Sequence, residues 1–147
     1  LGLMDKVTPA GRTLGRKEEW DSVEHASQYF SEKRLFQAFD KRCLDDYVNH
    51  GTQPLENGGR SLHFKAETEI SIYRTIPHNL HHTKRLSMPS AVIAGTSSDV
   101  FKRHHETKVK RQLGMDVSWV EGGHMFPLEK PEVTVELIKN YIAGWDR

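Results

Sequence analysis

The sequence has a single cysteine, Cys43, which excludes an internal disulfide framework. No apolar run extends beyond a few residues, so no segment reads as a membrane-spanning helix. Neither sign of charge dominates, with 21 basic and 20 acidic residues, and nucleic acid is therefore not an expected partner. Hydrophobic residues make up only 36% of the 147, which is little from which to build an independent core. The first residues, Leu1-Gly2-Leu3-Met4-Asp5-Lys6, do not form a secretory pattern, and the composition suits a cytoplasmic protein. The low apolar content and the leucine at position 1 suggest a fragment, a cleaved product or a truncated gene product.

Residues 1 to 19 carry Gly2, Pro9, Gly11 and Gly15 without a clear period and read as a loop or connection. Trp20-Asp21-Ser22-Val23-Glu24 opens a helix, with Asp21 as cap and Glu24 completing a capping box. Val23, Ala26, Tyr29 and Phe30 share its apolar face. A second helix is expected around Glu32 to Asp40, with Leu35, Phe36 and Phe39 together. A third, from Cys43 to Asn49, carries Leu44, Tyr47 and Val48 and ends at Gly51. Cys43 is expected to be a small buried or half-buried helical residue. Pro54, Asn57, Gly58 and Gly59 continue as loop, Ser61-Leu62-His63-Phe64 is a brief extended piece, and Glu67 to Thr75 is helical before Ile76-Pro77 breaks it. Residues 78 to 87 read as a polar connection.

From Met88 the character changes. Ser90-Ala91-Val92-Ile93-Ala94 is a continuous apolar run before Gly95, as in a strand buried on both faces of a parallel sheet. Lys102 to Leu113 is helical, with Gly114 as its stop. Val117-Ser118-Trp119-Val120 is a second strand. Pro131 opens a final helix whose predicted buried face is Leu137, Ile138, Tyr141, Ile142 and Trp145. Strand, helix, strand and helix in this order form a parallel α/β unit.

The chemistry lies in two loops after these strands. Gly95-Thr96-Ser97-Ser98-Asp99 brings an acid, and Glu121-Gly122-Gly123-His124 brings a histidine on a glycine turn. Loops at the carboxyl ends of neighbouring parallel strands meet at one edge of a sheet. A carboxylate there can fix the imidazole's tautomer, and the imidazole can shuttle a proton. A loop acid and a turn-filling histidine are the plain alternatives.

The Gly95 loop, with Pro89 before its strand, and Gly122-Gly123-His124 followed by Pro127-Leu128-Glu129-Lys130-Pro131-Glu132, resemble the C-terminal portion of the α/β-hydrolase superfamily. The resemblance covers residues 88 to 145, within a C-terminal segment of residues 88 to 147. Residues 20 to 87, with Trp20-Asp21-Ser22 and Phe39-Asp40, resemble the helical cap segment and linker of single-domain, esterase-like members. It implies a fold of class α/β: the last two strands of a hydrolase sheet with flanking helices, preceded by a cap. It also implies a nucleophile–acid–histidine triad acting on a small-molecule ester, with Asp99 as acid and His124 as base, and no cofactor. Asp99 lies four residues after Gly95, where three is commoner, and Ser98 holds that third position. Asp116 is at the wrong end of its strand to substitute.

The family's Gly-x-Ser-x-Gly elbow is missing. The chain would thus supply two triad members and need a complementing N-terminal half, leaving an open sheet edge. A non-catalytic hydrolase-fold binding protein, an inactive truncated product and an epoxide hydrolase-like parent are the alternatives. For the last, Tyr29, Tyr47 and Tyr73 would be cap acids. His78, His81 and His82, with His104 and His105, are read as polar linker and helix surface, not as a metal site.

Overall fold

A computed structural model describes residues 9–75 and 85–145. The chain divides into two compact units. The first comprises residues 1–37 and 44–78, the second residues 38–43 and 79–147. His78, His81 and His82 lie outside the described residues.

The first unit holds helix α1 (Ala10–Thr13), strand β1 (Glu19–Trp20), helix α2 (Val23–Ser31), most of helix α3 (Lys41–Gly51), strands β2 (Thr52–Pro54) and β3 (Arg60–Leu62), and helix α4 (Ala66–Arg74). The three strands make an antiparallel sheet in the order β1-β3-β2. Its core is aromatic. Phe30 lies 4.9 Å from Trp20, 5.1 Å from Phe36 and 5.1 Å from Tyr47 between ring centroids.

Several expectations change here. Residues up to 19 are not all loop, since α1 and the start of β1 fall among them. Trp20 belongs to a strand rather than to a helix start. Ser22, not Asp21, caps α2, its hydroxyl accepting from the His25 backbone N–H at 3.1 Å. Asp21 instead meets the His25 ring at 3.0 Å. The expected helix from Glu32 to Asp40 is a run of turns. Its backbone closes short loops, Lys33 N to Phe30 O and Phe36 N to Lys33 O, which tuck Phe36 into the ring cluster. The loop expected at Pro54 includes the end of β2, and of the predicted extended piece Ser61-Leu62-His63-Phe64 the first two residues lie in β3 while His63 and Phe64 bend away from it. The predicted helix at Cys43–Asn49 forms within α3, that at Glu67–Thr75 forms as α4 with Thr75 as its C-cap, and Cys43 is half-buried.

The second unit holds strand β4 (Ala91–Gly95), helix α5 (Arg103–Lys108) continued by a π-helical turn (Val109–Leu113), strand β5 (Asp116–Val120), and helices α6 (Phe126–Glu129) and α7 (Pro131–Trp145). Strands β4 and β5 pair in parallel, from Ala91 with Asp116 to Gly95 with Val120. Gly114 stops the intervening helix at φ 70°, a left-handed cap. Residues 38–43 join this unit through the Asp40 N–H, which donates to the Leu128 carbonyl at 2.8 Å, and through Arg42, which meets both Asp40 and Glu132.

The predicted buried face of α7 is only partly covered. Ser118 Oγ and Tyr141 Oη lie 2.7 Å apart and join helix to sheet, yet Ile138, Ile142 and Trp145 are exposed. The physical reason is area: two strands offer too narrow a surface for a helix of 15 residues, about 22 Å long. Strand β4 shows the same deficit, with only Ala94 and Gly95 buried.

Candidate functional site

Strands β4 and β5 end in register, Gly95 beside Val120, so the turn after each leaves the same edge of the sheet. The two turns are then stitched together by backbone. Thr96 N donates to Val120 O at 2.8 Å and Ser97 N to Gly122 O at 2.9 Å.

Glycine makes this approach possible. A Cβ on Gly95 would lie 1.9 Å from the Gly123 carbonyl oxygen, which no side chain could tolerate. Gly122 has φ +150°, a conformation open to glycine. Glu129 closes the loop from the far side: its carboxylate accepts from the Gly123 N–H at 2.9 Å. Glu129 reaches back because α6 begins directly after the loop, with Phe126 buried beneath it.

His124 stands exposed on this platform. Its Nδ1 lies 3.3 Å from Ser98 Oγ. Ser98 is buried, at 8% exposure, and its hydroxyl also accepts from the backbone N–H groups of Val100 and Phe101, each at 3.2 Å. Asp99 is exposed, one residue further along the turn. The structure therefore brings Ser98 to the imidazole, and Asp99 to the same turn but onto its surface. Asp116 starts β5, at the opposite end from His124.

Helix α5 flanks the turn. The ring of Phe101 is 5.7 Å from that of Trp119, over which the Arg103 guanidinium sits at 4.0 Å. Trp119 Nε1 donates to Glu106 at 2.8 Å. The Glu106 carboxyl is held below its usual range, chiefly by the hydrogen bond from Lys110 and then by that from Trp119. The rings of His104 and His105 meet edge to face at 4.0 Å, and His105 Nδ1 accepts from the Lys102 backbone N–H at 3.1 Å. Among the described residues, no group of three His, Cys, Asp or Glu side chains is arranged to hold a metal ion. Nor is any described helix long and apolar enough to cross a membrane.

Tyr29 and Tyr47 belong to the ring cluster of the first unit, and burial pushes the Tyr47 phenol above its ordinary value. Tyr73 is half-exposed on α4.

Sequence reasoning missed two site residues. The contact of Ser98 was signalled by its spacing, three residues after Gly95. Glu129 had no signal, because its partner is a backbone N–H brought close by the fold.

Comparison with solved structures places the architecture. An E-2-(acetamidomethylene)succinate hydrolase superposes with a TM-score of 0.74 at 19% identity, over 95% of this chain and 52% of its own. An esterase of M. tuberculosis gives 0.69 at 17% identity, over 92% and 48%. An α/β hydrolase of Novosphingobium aromaticivorans gives 0.61 at 15%, over 95% and 51%. The chain spans about half the length of these proteins and has the fold of the C-terminal part of an α/β-hydrolase. No family model and no curated protein matches the sequence.

Proposed function

We propose that this chain forms the acid-and-histidine end of a serine-type hydrolase of small carboxylic esters or related bonds. The nucleophile and oxyanion donors would come from polypeptide outside these 147 residues. One observation carries the proposal: the loops bearing Asp99 and His124 leave register-paired residues of two adjacent parallel strands at one sheet edge. The hydrolase and esterase named above, of the same fold, support the substrate class.

In this chemistry His124 Nε2 takes the proton of the attacking hydroxyl and returns it to the leaving alkoxide. Water then repeats the cycle on the acyl-enzyme. Asp99 is the carboxylate assigned to orient the imidazole and balance its charge. Residues 20–87 would form the cap segment and linker.

A second proposal, a hydrolase-fold binding protein without turnover, is favoured by a separate observation. The group beside His124 Nδ1 is the Ser98 hydroxyl, where a triad needs a carboxylate.

The test uses the native protein from its source. Its intact mass should exceed 16.9 kDa, and it should hydrolyse p-nitrophenyl butyrate and react with a fluorophosphonate probe. His124→Ala should lower kcat by about 10⁴-fold or more. A native mass equal to this chain, with no turnover, would sink the hydrolase proposal.

A further inference from the structure

The Ser98 hydroxyl has three polar neighbours: Val100 N and Phe101 N, each at 3.2 Å, and His124 Nδ1 at 3.3 Å. A hydroxyl has one proton and two lone pairs. The two backbone N–H groups can only donate, so they take both lone pairs. The third contact must then use the hydroxyl proton, with Nδ1 as acceptor. A neutral imidazole carries one N–H, which is left on Nε2.

We infer that Ser98 is a positioning residue that holds His124 in its Nε2–H tautomer, presenting an N–H donor where a triad histidine presents a lone pair. Burial makes this arrangement firm, because Ser98 is 8% exposed and cannot rotate its hydroxyl to water without releasing two backbone donors. A carboxylate at position 98 would do the opposite: it would accept from Nδ1–H and free the Nε2 lone pair. Asp99, exposed on the turn, does not take that place. The group that Nε2–H would bind is a hydrogen-bond acceptor, such as a carbonyl or carboxylate oxygen. Only this last consequence, for the ligand, rests on the second proposal above, a hydrolase-fold binding protein without turnover; the tautomer rests on neither proposal.

The test is long-range ¹H–¹⁵N correlation of imidazole nitrogens in the full chain labelled with ¹⁵N-histidine, at alkaline pH. His124→Gln assigns the resonance. The expected wild-type pattern is a pyridine-like Nδ1 and a pyrrole-like Nε2. Ser98→Ala should lower the ratio of Nε2–H to Nδ1–H by about fivefold, the worth of one ordinary neutral hydrogen bond. Ser98→Thr should keep the wild-type ratio, and Ser98→Asp should move the proton to Nδ1. A pyrrole-like Nδ1 in the wild type overturns the inference, and so does an unchanged ratio in folded Ser98→Ala. If Ser98→Ala does not fold, failure of Ser98→Asp to move the proton overturns it. Hydrolysis by the native protein with a pyrrole-like Nδ1 would reject this inference and keep the proposed function. The expected tautomer in a native protein without turnover would do the reverse.

Discussion

Gly95 and Glu129 set the geometry of the His124 loop by opposite means, one by lacking a side chain and the other by reaching across with its own. Gly95→Ala places a methyl group into the Gly123 carbonyl. Relief requires the two strand-end loops to part, at a cost of about 1–3 kcal/mol or more. A clear fall in melting temperature checks this, and an unchanged melt would refute it. Glu129→Ala removes a carboxylate acceptor from the Gly123 N–H, worth about 1.5–3 kcal/mol where the geometry is good.

Asp40 offers a pH test at the same scale. The hydrogen bonds from Arg42 hold its carboxyl down, from 3.8 to about 2. A folded-state value below the unfolded one means that the stabilising contribution is present above pH 3.8. It fades as pH falls through that value towards about 2, and it is gone below. The pair is exposed, so salt should weaken it. Titration followed by carboxyl NMR should show Asp40 still ionised near pH 3, and Arg42→Ala should return it to the ordinary carboxylate range.

Among the elements, α2 and α3 show how side chains finish what periodicity begins. The apolar spacing of Ala26 and Phe30 marked the helix, and both are buried, but the choice between Asp21 and Ser22 as cap was not legible. Both are good caps, and a one-residue shift in the chain's entry decides which oxygen faces the first turn. Ser22→Ala should cost about 1 kcal/mol, and Asp21→Ala much less, in urea unfolding. At the other end of α3, Arg60 on β3 donates to the carbonyls of Asn49 and Thr52 and to Thr52 Oγ1. A cation meeting the final carbonyls suits the helix dipole. Nothing local in the sequence announces this, because the hairpin β2–β3 had to form first. Arg60→Met keeps most of the apolar stem and should still cost about 1–3 kcal/mol.

At the scale of the whole molecule, the chain is rich in surfaces of the kind that a core normally covers. Among the described residues, strand β4 pairs with β5 alone, and Ile138, Ile142 and Trp145 of α7 are exposed. Substituting Ile138→Gln should therefore change the stability of this chain by no more than about 0.5 kcal/mol, as at an ordinary surface position. Ring packing is where the large costs lie: Phe30→Ala, which removes a ring touching Trp20, Phe36 and Tyr47, should cost about 3–5 kcal/mol. An unpaired strand edge invites pairing with another chain. Sedimentation velocity should accordingly show association of the isolated 147 residues that grows with concentration.

The sequence by itself determined the α/β character of residues 88–145, the two strands, the stop at Gly114 and the two loops that follow the strands. These features depend on short-range causes: an unbroken apolar run, a left-handed glycine, a proline at a helix start. Only the tertiary structure decided that residues 32–40 turn rather than coil into a helix, that three short strands pair in the first unit, and that α7 keeps much of its apolar face exposed. Each of these depends on which distant surface is present to pack against. The same holds for His124. Its place on a glycine loop was legible, but whether serine or aspartate meets its Nδ1 was settled by the path of one turn, which buries Ser98 and leaves Asp99 outside.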